Sequence, residues 1–168
     1  GIPHVFDKIE DMIQSTDVDA VYIATPPSTH LNYALQVAEA GKPCCVEKPI
    51  ATSYAEAAQM VEAFEAAGQP LFVAYYRRSL PRFIQIRDLI TDGAIGSIRH
   101  IHWTLSRTSS SVDLSGESNW RTEKVHAPGG YFDDLACHGL DLFDFLLGPI
   151  DQASGVSFNQ LGHYDVPD

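Results

Sequence analysis

The first 76 residues alternate short apolar runs with longer segments that have the periodicity of amphipathic helices. The apolar runs lie at 19–25, 43–47 and 69–75 and are rich in Val, Ile, Tyr, Phe or Cys. Runs of this composition are typical of strands that are buried on both faces. Strands that alternate with helices form βαβ units, so this pattern predicts a parallel sheet.

The starts of the helices in this part are marked by short polar side chains. Asp7 with Glu10, and Ser53 with Glu56, have the spacing of a capping box, in which two side chains satisfy N–H groups of the first helical turn. Ser28 follows two prolines and is placed to cap a further helix. We therefore expect one helix before the first strand and one helix in each connection between strands.

The pattern changes in the second half of the chain. A helix is predicted over 81–91. Residues 97–107 then alternate polar with mostly apolar side chains, which is typical of a strand in an antiparallel sheet with one solvated face. Residues 108–128 are predicted to form one polar loop, and a loop of that length is usually functional or mobile. A long helix is expected over 129–147 and a further strand over 152–160.

One stripe of the long helix carries ionisable side chains. At 100° per residue, Asp134, His138 and Asp141 lie within roughly 60° of one another, while Asp133 and Asp144 are expected in water. The stripe borders an apolar arc that is expected to face the core. This arc consists of Phe132, Leu135, Leu142, Phe143 and Leu146. Polar side chains at the margin of a buried face suit the wall of a cleft.

The Asp-His-Asp stripe allows three interpretations. An imidazole between two carboxylates has its charged form favoured and can act as a general acid or base near neutral pH. Asp134 and His138 also have the spacing of metal ligands, with His126 or Asp141 as a third ligand. Alternatively, His138 is a structural residue that is hydrogen-bonded at the margin of the core. The spacing by itself leaves all three open.

Charge and composition exclude several partners. The 11 Lys and Arg residues and 22 Asp and Glu residues give a formal net charge of −11, and such a surface repels the phosphate backbone of nucleic acid. No apolar run approaches the roughly 18 residues of a membrane span, so we expect a soluble protein. Three cysteines, two of them adjacent, do not make a disulfide framework. We therefore expect a reducing, cytoplasmic location.

Three segments of the chain, in the expected order and spacing, resemble the glucose-fructose oxidoreductase / inositol dehydrogenase (Gfo/Idh/MocA) family. They are DAVYIATPPSTH, AGKPCCVEKP and GGYFDDLACHGLD. The family's Glu-Lys-Pro signature is matched by Glu47, Lys48 and Pro49. Its glycine-rich signature, with Asp-x-x-x-His and a downstream Asp, is matched by Gly129, Gly130, Asp134, His138 and Asp141. Its weaker marks are matched by Tyr75, Arg78, Gly93, Gly96, Trp120 and Arg121.

The resemblance implies an α/β fold in which a Rossmann parallel sheet is followed by an α+β domain with an open antiparallel sheet. Residues 1–76 would be the C-terminal portion of the Rossmann dinucleotide-binding domain, and 77–168 part of the α/β substrate and dimerisation domain. The family's G-x-G-x-x-G turn and the ribose-binding residue after it are absent. We therefore expect them upstream of Gly1 in a longer protein. The fragment alone is expected to be inactive, and oligomeric or aggregation-prone through open sheet edges.

The same resemblance implies an enzyme that transfers a hydride between NAD or NADP and a sugar, a cyclic polyol or a related secondary alcohol. By position, Lys48 looks like the catalytic-site lysine, His138 the general acid/base and Asp134 a substrate-binding carboxylate. The chemistry agrees, because alcohol oxidation needs a base on the hydroxyl and a cation near the developing alkoxide. No metal is implied. The implied cofactor contacts are Thr25, Pro26, Pro27, His30, Glu47, Lys48, Pro49, Trp120 and Arg121.

The alternative function is a non-catalytic sensor or co-repressor of the same family that binds a sugar or a cofactor. The joint presence of Lys48, Asp134 and His138 argues against it, because a binder needs no proton-transfer group. The expected partners are a small-molecule sugar or polyol and further copies of the chain. The second expectation follows from the family, whose open sheet commonly packs face to face with that of another subunit.

Overall fold

Three short strands of the N-terminal part form one parallel sheet, as predicted. They are β1 (Val21–Ile23), β2 (Cys44–Val46) and β3 (Leu71–Val73), and they lie side by side in that order. Each strand is one or two residues shorter at each end than predicted. Pro43 and Pro70 directly precede β2 and β3, where proline has no N–H to donate to a neighbouring strand.

The computed structural model describes residues 2–160 and 162–167. The chain divides into two compact units, Gly1–Ala74 and Tyr75–Asp168. No helix in these described ranges is long and apolar enough to cross a membrane.

Helices α1 (Ile9–Gln14), α2 (His30–Glu39) and α3 (Tyr54–Ala67) belong to the first unit. Their apolar faces and the strands enclose one core, in which burial of aliphatic and aromatic side chains supplies most of the stabilisation. The buried members of this core are Ile13, Val21, Ile23, Ala34, Val37, Ala38, Cys44, Val46, Ala51, Met60 and Phe64.

The predicted helix starts are confirmed in one case and wrong in two. Ser53 Oγ accepts a hydrogen bond from Glu56 N at 3.2 Å, and α3 begins directly after it. Asp7 caps nothing, because α1 begins at Ile9 and Lys8 occupies the cap position without a side-chain bond. Ser28 does not cap α2 either, because it lies within a 3₁₀ turn, Pro27–Thr29, that precedes the helix.

The second unit contains α4 (Pro81–Thr91), whose ends agree with the prediction. The strand predictions in this unit are wrong for the described residues: 97–107 and 152–160 form no strand, so no antiparallel sheet is present there. The physical reason is that a strand needs a neighbouring strand for its backbone hydrogen bonds, and the alternation of side chains does not supply one. Both segments are exposed to solvent throughout.

Residues 108–128 were expected to be one irregular loop, and they are partly helical. They contain α5 (Ser111–Ser115) and a 3₁₀ turn, Trp120–Thr122. Ser110 and Asp113 form a complete capping box at the start of α5. A polar sequence can therefore be ordered by its own short side chains, because these satisfy backbone groups at the ends of helical turns.

The helix expected over 129–147 is not uniform. It begins with a π-helical turn, Phe132–Ala136, and continues as α6 (Cys137–Leu147). The expected apolar arc is only partly covered: Phe132 is 61% exposed and the other four arc residues are half-buried, while Asp134 and His138 are buried. One of the arc residues, Phe143, packs edge-on against Trp103, with ring centroids 6.1 Å apart. The arc lacks the cover that the predicted antiparallel strands would have provided.

Candidate active site

The Glu-Lys-Pro segment comes directly after β2 and is anchored through its glutamate. Glu47 N donates to Ile23 O at 2.9 Å, which continues the pairing with β1. Tyr22 OH donates to Glu47 Oε1 at 2.6 Å, and Lys48 N donates to Glu47 Oε2 at 3.2 Å. The bond to Glu47 raises the pKa of Tyr22 to about 12, with smaller contributions from burial and charge. Glu47 therefore acts here as an acceptor that holds the backbone around Lys48.

The turn after β1 is closed by hydroxyl groups. The hydroxyl oxygens of Thr25 and Thr29 lie 2.6 Å apart, and Thr29 Oγ1 donates to Pro26 O at 2.8 Å. Thr25 is exposed and Pro26 partly exposed, whereas Pro27 is buried. Of these three expected cofactor contacts, Thr25 and Pro26 are thus open to a ligand, and Pro27 supports the turn.

His30 is fully buried at the start of α2. Its Nε2 lies 2.8 Å from Thr25 O, and its Nδ1 lies 3.1 Å from Pro49 O and 3.2 Å from Ile50 O. Each partner is a carbonyl oxygen, which only accepts hydrogen bonds. The ring therefore connects the turn after β1 to the segment after β2, and within this unit it has no surface to offer to a cofactor.

In the second unit, the π-helical turn carries Asp134, and the first turn of α6 carries the predicted acid/base residue His138. Asp134 is 8% exposed and His138 is 7% exposed. Arg121 Nε donates to Asp134 Oδ2 at 3.1 Å, and the same guanidinium lies 4.3 Å from the centre of the Trp120 ring. The buried carboxylate is therefore paired with a cation, as a buried charge requires. The Trp120-Arg121 pair thus contacts the aspartate of the Asp-x-x-x-His motif.

The His138 ring lies between aromatic side chains. It packs edge-on against Tyr75 and Tyr76, with ring centroids 6.3 and 5.6 Å away. Burial raises the pKa of Tyr75 to about 12, and the neighbouring Cys137 and Asp141 add to this effect while Arg78 opposes it. Tyr75 consequently stays neutral near His138 at neutral pH.

Arg78 connects the start of this unit to α6. Its Nε donates to Asp141 Oδ1 at 2.8 Å, and its Nη2 donates to Asp144 Oδ2 at 3.0 Å. The hydrogen bond to Asp141 is the main reason that the pKa of Arg78 is raised. The expectation that Asp133 and Asp144 merely lie in water is therefore wrong, since Asp133 Oδ2 also accepts from Gly129 N at 2.7 Å.

One hydrogen-bonded cluster beside the Trp120-Arg121 turn was not predicted from the sequence. Asp113 is buried and accepts hydrogen bonds from Ser110 Oγ at 2.7 Å, Asn119 Nδ2 at 3.0 Å and Tyr131 OH at 2.9 Å. Asn119 Oδ1 in turn accepts from Arg121 N at 3.2 Å. Asp113 thus fixes the turn that carries Trp120 and Arg121. The Ser-x-x-Asp spacing of a capping box was the available signal.

The described residues contain no group of three or more His, Cys, Asp and Glu side chains that could hold a metal ion. Among these residues, Asp134 and His138 therefore lack the third ligand that the metal interpretation requires. What these residues can do without a metal is accept a hydrogen bond at a carboxylate and exchange a proton at an imidazole.

Both halves of the chain match models of a single family. Residues 1–75 match the model described as the oxidoreductase family with an NAD-binding Rossmann fold, in agreement with the parallel sheet. Residues 83–168 match the model of the GFO/IDH/MocA C-terminal domain. The fold and the first match thus define an oxidoreductase-family Rossmann protein, and the two matches together mean that the chain belongs to the GFO/IDH/MocA family.

Several known proteins are similar over most of this chain. Oxidoreductase P35 of Formosa agariphila is 36% identical over 99% of the chain and 53% of its own length. Levoglucosan dehydrogenase of Pseudarthrobacter phenanthrenivorans is 32% identical over 86% of the chain and 37% of its own length. A structure of levoglucosan dehydrogenase with NADH and levoglucosan has a TM-score of 0.71 at 29% identity, and covers 85% of this chain and 38% of that one. The chain spans about half the length of the curated relatives it matches, or less.

Proposed function

We propose that the protein is an NAD- or NADP-dependent oxidoreductase that acts on a CH–OH group of a sugar, a cyclic polyol or a related secondary alcohol. The observation that carries the proposal is the burial of Asp134 and His138, four residues apart, with a guanidinium on the carboxylate, because buried ionisable groups are characteristic of catalytic sites. Relatives named 1,5-anhydro-D-fructose reductase, levoglucosan dehydrogenase and inositol 2-dehydrogenase support this class of substrate.

The first unit provides the kind of surface that a dinucleotide needs. Thr25 and Pro26 follow β1, and Lys48 follows β2, at the carboxyl ends of neighbouring parallel strands. Ligands of open α/β sheets bind at this edge. Thr25 is exposed and Lys48 partly exposed, so both are accessible to a bound molecule. The nicotinamide, when bound, would accept or supply the hydride.

The side chains of the chain itself would handle the proton and the charge. His138 would take the proton of the substrate hydroxyl, since an imidazole exchanges protons near neutral pH. Lys48 would stabilise the negative charge that develops on the alcohol oxygen. Asp134, held by Arg121, would accept a hydrogen bond from a neighbouring hydroxyl and so orient the ring of the substrate.

Two further properties belong to the proposal. We infer a cytoplasmic location from the three thiols Cys44, Cys45 and Cys137, which form no disulfide among the described residues. Assembly with further copies of the chain is inferred for the second unit. The apolar side chains Ile101, Trp103 and Leu105 are exposed there, and exposed apolar surface of this kind is commonly covered by a partner.

The test is turnover of the full-length protein with NAD and NADP against a panel of sugars and cyclitols. His138→Ala and Lys48→Ala should each lower kcat by about 10²-fold or more, as expected for the loss of a proton-transfer group or of charge stabilisation. The matched controls are His100→Ala and Lys8→Ala, which remove exposed side chains of the same types.

Two outcomes would contradict the proposal. Unchanged kcat in both His138→Ala and Lys48→Ala would show that the assigned roles are wrong. Calorimetric binding of a sugar or dinucleotide by the wild-type protein without turnover of any alcohol in the panel would favour the sensor or co-repressor instead.

A further inference from the structure

We propose that His30 is a positioning residue that fixes the backbone on the carboxyl side of Lys48; this inference rests on the proposed role of Lys48. His30 is fully buried, and its two ring nitrogens face carbonyl oxygens of two separate segments. Nε2 lies 2.8 Å from Thr25 O, while Nδ1 lies 3.1 Å from Pro49 O and 3.2 Å from Ile50 O.

The segment that carries Lys48 needs such support. Residues 48–51 belong to no helix or strand, so strand pairing does not set their conformation beyond the Glu47 N bond to Ile23 O. Pro49 has no N–H and can be held only through its carbonyl group. Since a carbonyl oxygen can only accept, the hydrogen must come from the imidazole.

The backbone is consequently fixed both before and after Lys48 in the sequence. Before it, Glu47 accepts from Tyr22 OH at 2.6 Å and from Lys48 N at 3.2 Å. After it, His30 binds the carbonyl groups of Pro49 and Ile50. The same ring contacts Thr25 O, so the turn after β1 and the segment after β2 are fixed relative to each other.

This arrangement has a consequence for catalysis. A group that stabilises charge must be aligned before the reaction begins, and a misplacement of about 1 Å costs on the order of 10²-fold in rate. The His30 bond to Pro49 therefore contributes to kcat through the position of Lys48, although the ring touches neither substrate nor cofactor. The contact of His30 with Thr25 O instead holds the turn after β1, which is the turn proposed to face the cofactor.

Three substitutions separate the two bonds. His30→Phe keeps a ring but removes both ring nitrogens. The amide nitrogen of Asn reaches the place of Nδ1, and that of Gln reaches the place of Nε2, so His30→Asn retains a donor to Pro49 and His30→Gln retains one to Thr25. The control is Met60→Ala, which removes a fully buried side chain from α3 and affects stability alone.

Two measurements on the full-length protein test the proposal. In steady-state kinetics, His30→Phe and His30→Gln should lower kcat about 10- to 100-fold with the sugar KM nearly unchanged, and His30→Asn should return kcat to within about threefold of wild type. In hydrogen exchange, the amides of Ile50 and Ala51 should exchange faster in His30→Phe than in His30→Asn or Met60→Ala, because an unsupported segment opens locally.

The exchange measurement needs no turnover, so the two proposals fail in distinguishable ways. If wild type turns over no alcohol but exchange at Ile50 follows the expected order, the enzymatic function is wrong and the positioning contact stands. Equal kcat and equal exchange in His30→Asn and His30→Gln would overturn the assignment of His30. This comparison remains decisive if His30→Phe does not fold.

Discussion

The Asp113 carboxylate provides a quantitative test of how the segment between α4 and α6 is held. It accepts from Ser110 N at 3.0 Å, Ser110 Oγ at 2.7 Å, Asn119 Nδ2 at 3.0 Å and Tyr131 OH at 2.9 Å. Asp113→Ala removes the acceptor for all four donors. The variant therefore loses half of the capping box of α5, and Asn119 Nδ2 and Tyr131 OH lose their charged acceptor, although Asn119 Nδ2 still donates to Tyr131 OH at 3.1 Å.

The expected cost follows from these contacts. The lost capping interaction contributes ~1 kcal/mol, and the loss of a charged acceptor costs ~1 kcal/mol for each of the donors Asn119 Nδ2 and Tyr131 OH. Together they predict a decrease of about 2–4 kcal/mol in the free energy of unfolding at pH 7, since bonds to a charged acceptor are stronger than average.

The pH dependence has a definite sign. Burial raises the pKa of Asp113, but the hydrogen bonds from Ser110, Tyr131 and Asn119 together outweigh burial and lower it below the usual value. A carboxylate with a depressed pKa stabilises the folded state fully above its unfolded pKa of about 4. This stabilisation is lost as the pH falls through the folded pKa. The stability difference between wild type and Asp113→Ala should therefore narrow below about pH 4.

The assay is urea-induced unfolding at pH 7 and pH 3, with Glu117→Ala as the control. Glu117 is an exposed carboxylate of the same segment, so its removal should change the free energy of unfolding by less than about 0.5 kcal/mol. A loss in Asp113→Ala no larger than that of the control at pH 7 would refute the reasoning. If the stability difference between wild type and Asp113→Ala is larger at pH 3 than at pH 7, the conclusion that the pKa of Asp113 is lowered is refuted.

Two further substitutions test local features of the fold by the same unfolding measurement. Ser53→Ala removes the Oγ acceptor of Glu56 N and should cost about 0.5–2 kcal/mol; an unfolding midpoint equal to that of Ser154→Ala, an exposed serine, would mean that this cap contributes nothing. Gly139→Ala places a Cβ against the ring of Trp103 and should cost about 1–3 kcal/mol through overpacking. Gly155→Ala, where a Cβ meets nothing within 4 Å, is its control, and equal stability of the two variants would contradict the packing of Trp103 on α6.

Local patterns in the sequence were sufficient for the elements whose ends are set by neighbouring residues. The limits of α4 and the cap of α3 at Ser53 follow from contacts between residues a few positions apart. The parallel sheet followed from apolar runs that alternate with helices, but the expected burial of both faces did not, since Tyr22 in β1 and Phe72 in β3 are exposed. The family motifs then located the Lys48 segment and the Asp134–His138 pair, although their catalytic roles remain predictions.

Only the tertiary structure shows which strand or side chain each segment and polar group meets. Whether 97–107 becomes a strand depends on a neighbouring strand, which the alternation of its side chains cannot specify. Likewise, the burial of His30 and the pairing of Arg78 with Asp141 join residues 19 to 63 positions apart. Hydrogen bonds and charge pairs form between groups that are close in space. Periodicity encodes the face on which a residue lies, but the partner that it meets depends on how the elements pack.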